Sequence, residues 1–202
     1  MKYQKRDYNA FYHRLIFVLL LLNLYYYGRL YFKTLALLYM SIKTPIFIDF
    51  EASSLDLVSS YPIEVGICLP NGQVMSWLIK PHVLWRDWSE KAARVHGISK
   101  EELQSDGMEV SLVAAELNKI VSGPIYCDAW AFDSFWSHRL FKASNTKPRY
   151  ELDSITSILK PEEIDQWQDI RALVIDDLEL VRHRAANDAL ILHETWKRLA
   201  SQ

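Results

Sequence analysis

Asp49 and Glu51 lie two residues apart in the apolar run Ile46 to Glu51, read as IFIDFE. In an extended strand their side chains leave the same face. A strand this apolar belongs in the middle of a sheet, where two adjacent anions repel each other and lose hydration unless a cation meets them. A divalent metal supplies that charge, and oxygen ligands suit Mg²⁺ or Mn²⁺ better than zinc. Taken alone, the pair is read more simply as a solvated cap on the following turn. Asp188 changes that balance. At 100° per residue it lies about 60° from Ala185, bordering the apolar stripe of the last helix and facing the rim of the sheet. Asp133 falls in the first turn of another helix, among Phe132, Phe135 and Trp136. By itself it is a charge placed for the helix macrodipole. His183 stands five residues before Asp188, and a lone histidine is more often a surface or capping imidazole than a reactive one.

The elements that must hold these side chains follow from periodicity and turn chemistry. Ile46 to Glu51 reads as a buried strand, and Pro62 to Leu69 and Gln73 to Lys80 flank a Pro70-Asn71-Gly72 hairpin signal, which makes an antiparallel meander. Ser89 to Val95 and Ser99 to Gln104 are short helices around His96-Gly97, with Ser99 as N-cap and Glu102 as its capping-box partner. Ser111 to Val121 is amphipathic, with Val113, Leu117, Ile120 and Val121 on one face. Ile125 to Cys127, after Gly123-Pro124, is a fourth strand, followed by a helix from Ala131 to Lys142. A strand through Tyr150 to Asp153 then leads into helical pieces, and Ala185 to Leu199 is a helix whose Ala185, Ala189, Leu192, Trp196 and Leu199 form one stripe. Three strands followed by alternating helix and strand describe an α/β domain with a mixed sheet.

Composition sets the outer limits. The chain has 202 residues, 50% hydrophobic and 24% charged, with six glycines, seven prolines and two cysteines, which excludes collagen-like and generally disordered chains and fits one globular domain with or without an appendage. Cys68 and Cys127 are too few for a disulfide framework, so a reduced, cytoplasmic setting is expected. Near Met40 the composition breaks: residues 1–39 hold eight of the eleven tyrosines, ten leucines, six Lys/Arg and one acid, Asp7. The remaining 17 basic and 24 acidic residues give residues 40–202 a net charge of −7. The uncharged run Leu15 to Tyr27 would cover about 20 Å as a helix, short of a ~30 Å hydrocarbon core, and Tyr25 to Arg29 is no signal-peptide cleavage site. The segment is read as an extension outside the working protein, a surface-lying membrane helix or an anchor, in that order, with a membrane partner unlikely. Residues 40–202 form the domain, and Met40 is a natural start.

Asp49-Phe50-Glu51, Phe132-Asp133 and His183-Arg184-Ala185-Ala186-Asn187-Asp188, in this order and spacing, resemble the three motifs of the DEDDh family of 3′→5′ exonucleases. The resemblance covers residues 45 to 200. His-x-Ala-x-x-Asp at the head of the last helix is its most specific element. Val95-His96-Gly97-Ile98-Ser99 is similar to a Val/Ile-His-Gly-Ile-Thr segment of proofreading subunits such as the DNA polymerase III epsilon type and of relatives such as ribonuclease T, and Glu64-Val65-Gly66 is similar to their second strand. Two departures concern substrate contacts: Ala129 stands where the family has Asn, and Ala52-Ser53-Ser54 replaces Thr-Thr-Gly.

The resemblance implies a ribonuclease H-like fold, α/β, with a mixed central sheet of about five strands flanked by helices. It implies phosphodiester hydrolysis from a 3′ end by two metal ions, Mg²⁺ or Mn²⁺. Asp49, Glu51 and Asp188 would hold the first ion, Asp49 would bridge to the second, Asp133 would assist the second through water, and His183 would be the general base. Four catalytic acids account for part of the −7, and two divalent ions would leave the loaded domain near −3, compatible with gripping one end of a nucleic acid. Phe50, Trp130 and Trp136 are candidates for stacking a terminal base, with Ala52, Ser53 and His96 as further contacts; core packing is the commoner role of such aromatics. Trp85, Trp88 and Trp167 are read as structural. The partner expected is single-stranded nucleic acid or a 3′ end, DNA or RNA, and a homodimer is compatible with the sequence. An RNA-trimming enzyme and a non-catalytic nucleic-acid-binding or membrane-surface module are the alternatives.

Overall fold

The computed structural model describes residues 44–201; the expectations for residues 1–39 lie outside the described residues. Strands β1 (Phe47–Ala52), β2 (Pro62–Cys68) and β3 (Val74–Leu78) come first, then helices α1 (Glu90–His96), α2 (Lys100–Ser105) and α3 (Val110–Ile120). They are followed by β4 (Gly123–Cys127), α4 (Trp130–Ala143), β5 (Tyr150–Ser154), α5 (Pro161–Leu178) and α6 (Ala185–Ala200). The five strands form one mixed sheet in the order β3-β2-β1-β4-β5. β1 pairs antiparallel with β2 and parallel with β4, so the strand expected to carry two acids is the central one.

The meander closes through the expected turn. Gly72, at φ 83°, donates its N–H to the Leu69 carbonyl at 2.8 Å while Leu69 N–H reaches Gln73 O at 2.9 Å; the left-handed conformation is one that glycine adopts at little cost. Ser99 caps α2 through Oγ, which accepts the Glu102 N–H at 3.1 Å. Helices cover both faces of the sheet. On one side Ile48, Phe50, Val65 and Ile125 pack with Val113, Leu117, Trp136 and Leu140. On the other, Phe47 and Cys68 pack with Trp167, Ala189, Leu192 and Leu199.

Two elements differ from the sequence reading. β4 starts at Gly123 because its parallel pairing with β5 already begins there, opposite Tyr150. The helical pieces after β5 include one continuous 18-residue helix, α5. Only Trp167 and Val174 of α5 are buried, too sparse a stripe to show in the pattern. The helix is instead secured at its start, with Pro161 in the first turn and the Glu163 carboxylate accepting the Lys160 N–H at 2.8 Å, both favourable features of an N-terminus.

Candidate active site

Alternation along β1 sends Phe47, Asp49 and Glu51 to one face and Ile48, Phe50 and Ala52 to the other. Asp49 lies opposite Gly66 and Glu51 opposite Glu64 on β2. Gly66 has no side chain for a packing reason: a Cβ there would lie 2.2 Å from the carbonyl carbon of Ala185. Its absence lets the start of α6 rest directly on the sheet beside Asp49. Glu64, 1% exposed, fixes that contact. Its carboxylate accepts from Arg184 Nε at 3.0 Å, from Arg184 Nη2 at 2.9 Å and from the Ala185 N–H at 3.0 Å. A bidentate pair reinforced by a backbone donor is among the stronger polar anchors available to a fold.

Just before α6 the chain turns through His183 at φ 62°, a left-handed conformation costly for a residue with a side chain. The turn is held by the His183 N–H, which donates to Asp188 Oδ2 at 2.7 Å. It brings His183, Asp188 and Glu51 together with ligand-capable atoms within 4.8 Å of one another. Asp49, Asp128 and Asp133 form a second such group within the same limit. Asp133 is 1% and Asp188 6% exposed, yet Asp133 Oδ2 and Asp188 Oδ1 are buried without a hydrogen-bond partner. Buried polar atoms are ordinarily satisfied. Oxygens orphaned in two adjoining carboxylate groups have the chemistry of an oxygen-ligated divalent ion site.

The electrostatics agree with the crowding. Burial, then the facing Asp188 and Glu64, pushes the Glu51 carboxyl up to about 8, against a smaller opposing pull from Arg184. Burial and the neighbouring Asp128 push Asp133 up to about 8. Burial followed by Asp133, Asp188 and Glu51 holds Asp49 well above the usual carboxylate range, and burial raises Asp188 despite the His183 N–H.

Asp128, Glu64 and Arg184 were not singled out as site residues by sequence. Asp128 reaches the group because β4 runs parallel to β1 with Tyr126 opposite Phe47, which sets Asp128 level with Asp49. It is paired with Arg171 of α5 at 3.3 Å. Besides the resemblance of Glu64-Val65-Gly66, the sequence held one signal for Glu64, a lone acid inside the otherwise apolar strand Pro62–Cys68.

A cavity of about 380 Å³ opens beside the acids, lined by Glu51, Ala52, Leu55, His96, Trp136 and His183 among others. Three of the expected substrate contacts, Ala52, His96 and Trp136, therefore line it. Trp136 is fixed by its Nε1–H, which donates to Ser60 Oγ at 2.9 Å. His96 Nδ1 accepts the Ile98 N–H at 3.0 Å, its Nε2 has no partner, and burial lowers its pKa. The other three have different surroundings. Phe50 is 4% exposed within the core on the far side of β1, so it offers no free face for stacking. Ser53 is buried, its hydroxyl donating to Asp87 at 2.9 Å and accepting the Tyr61 N–H at 3.1 Å. Trp130 is 48% exposed, with Nε1–H donated to the Leu152 carbonyl on β5 at 3.1 Å, away from the cavity wall.

No protein-family model matches the sequence, and no curated protein does. Solved structures match in fold. One exonuclease I structure, described in relation to processivity, superposes with a TM-score of 0.62 at 13% identity, covering 78% of this chain. The chain shares its fold with exonuclease I. E. coli exonuclease I in complex with a labelled dT13 oligonucleotide gives 0.61 at 14% identity over 78% of this chain, and the enzyme from Methylocaldum szegediense gives 0.58 at 13% over 77%. The chain spans about two fifths of the length of these exonuclease I structures, 40%, 40% and 39% respectively. The expected ribonuclease H-like α/β architecture, with its five-stranded mixed sheet, is thus the observed one. Among the described residues no helix is long and apolar enough to cross a membrane.

Proposed function

We propose that the domain from residue 40 onward is a metal-dependent 3′→5′ exonuclease that removes nucleotides one at a time from the end of a single-stranded nucleic acid. The observation that carries this reading is the pair of carboxylate groups with orphaned buried oxygens, beside a cavity that Glu51 and His183 line. The likeness in fold to exonuclease I, solved elsewhere in zinc-bound and metal-free forms with single-stranded DNA, supports it.

Asp49, Glu51 and Asp188 would hold divalent ions, with Asp133 assisting through water. Bound there, such ions supply Lewis acidity toward the phosphodiester and charge neutralisation for its leaving oxygen. Glu64 and Arg184 set the start of α6, and through it the positions of His183 and Asp188. His183 takes a proton at a ring nitrogen as water attacks phosphorus. The P–O3′ bond breaks, the released nucleotide leaves with a 5′-phosphate, and O3′ of the shortened strand takes a proton from solvent to become a new 3′-OH. Trp136 and His96 bound the space in which the terminal base sits.

The test is incubation with end-labelled DNA and RNA oligomers bearing 3′-OH or 3′-phosphate, in Mg²⁺, Mn²⁺ or EDTA. Mononucleotide release that starts at the 3′ end and stops with EDTA is expected. No metal-dependent release from any substrate would falsify the reading.

A further inference from the structure

A second cavity, of about 580 Å³, lies on the outer side of α4. Five of its lining residues, Phe135, His138, Arg139, Lys142 and Ala143, come from that helix, at spacings of three, four, seven and eight from the first. They form one helical stripe. The facing wall is His82, Leu84 and Trp85, from the connection between β3 and α1. No carboxylate lines the space, although residues 40–202 carry a net charge of −7. None of the ion pairs among the described residues uses Arg139 or Lys142.

Arg139 is held in place before any ligand arrives. Its guanidinium lies 5.6 Å from the Phe135 ring centre and 6.0 Å from that of Trp85. Nη1 donates to the Val58 carbonyl at 3.1 Å, and Nε is buried without a partner. Trp85 is braced from behind by stacking on Tyr61, with ring centres 5.1 Å apart, and Leu84 is 76% exposed at the rim. A held guanidinium and an exposed ammonium beside apolar surface suit a single strand, whose phosphates take the charges and whose bases pack against the exposed Leu84 rim.

The same helix links this cavity to the acids. Asp133 and Lys142 are nine residues apart on α4, about 14 Å along its axis at ~1.5 Å per residue and about 180° apart around it at 100° per residue, so a strand joining the two sites passes around the helix and needs somewhat more than the four nucleotides that cover the axial rise at ~3.4 Å each. Trp136, between them, faces the first cavity. We infer that the Arg139–Lys142 cavity is a second nucleic-acid subsite, gripping the backbone of a single strand a few nucleotides back from the end presented to the carboxylates. The inference rests on the exonuclease reading for the direction of the strand.

The test is equilibrium binding of a labelled oligo-dT of about a dozen nucleotides, and of a dinucleotide, in EDTA over a series of salt concentrations. Single-strand affinity falls with salt in proportion to the phosphates neutralised, with a slope of about −0.7 per contact. Lys142→Gln should therefore flatten the slope by about 0.7, and Arg139→Gln with Lys142→Gln by about 1.4. The preference for the long strand over the dinucleotide should drop roughly tenfold in the double variant. Lys142 is exposed, so the single variant keeps the test open even if loss of Arg139 disturbs folding. Wild-type slope and length preference in both variants would overturn the subsite. So would displacement of the strand by pyrophosphate as readily as by unlabelled oligo-dT, which marks a simple anion site. Hydrolysis of the oligo-dT by wild type in Mn²⁺ is scored separately: its absence counts against the exonuclease reading, and an unaltered salt slope counts against the subsite.

Discussion

On one face of β1, Ile48 and Phe50 are covered by apolar side chains from α3, α4 and neighbouring strands, and the packing around them is complete with protein atoms alone. On the other, Phe47 is covered in the same manner by Ala189 and Leu192 of α6. Further along that face, Asp49 and Glu51 meet Asp128, Asp133, Asp188 and His183, and two buried oxygens there have no partner. Six residues of strand thus pass from a closed core to a site whose charges call for a ligand. The lesson is energetic. The first face contributes stability on its own, whereas the second lowers it until cations arrive, because each carboxylate is both desolvated and surrounded by others.

Changes that separate the two faces should have effects in a definite order. Asp49→Asn and Asp188→Asn should abolish hydrolysis while raising the melting temperature of the metal-free protein, since each removes one repelling charge; near-wild-type turnover would take that residue out of the metal site. His183→Ala should slow hydrolysis by ~10²–10⁴-fold, with the loss shrinking as pH rises and hydroxide replaces the base. Its divalent-ion uptake, read by calorimetry, should largely persist. The pH dependence of stability has a fixed sign. Because burial and neighbouring acids raise Glu51 and Asp133 to about 8, the folded chain keeps protons that the unfolded chain releases near pH 4. Stability from these groups is present below the ordinary carboxylate range and lost as pH rises toward 8. Thermal melts in EDTA should show that decline, and saturating Mn²⁺ should remove it. The smallest effect is expected from deleting residues 1–39, which should leave melting temperature and exonuclease rate near their full-length values; an unfolded or inactive product would show that the domain needs the segment.

Much of this arrangement was legible in the sequence because it is local. The i, i+2 acids of β1, the turn at Gly72 and the apolar stripe of α6 each follow from a period that one element imposes on its own residues. Asp188 bordering that stripe already indicated a buried acid. What sequence left hidden depends on pairing between distant elements. Asp128 joins the site through the register of β4 on β1. Glu64 and Gly66 matter through what α6 places against β2. Phe50 is the converse case. It stands between two acids of the candidate site, yet alternation turns it into the core. α5 lacked a readable stripe because it buries only two residues.

The claim that the acidic face of β1 is completed by divalent ions is tested most directly by titrating Mn²⁺ into the metal-free protein and into Asp49→Asn, by calorimetry alongside thermal melts. Saturable uptake of about two ions per wild-type chain is expected, with a clear rise in melting temperature at neutral pH and loss of at least one ion in the variant. Absence of saturable uptake by the wild type, or equal uptake by Asp49→Asn, would contradict the claim.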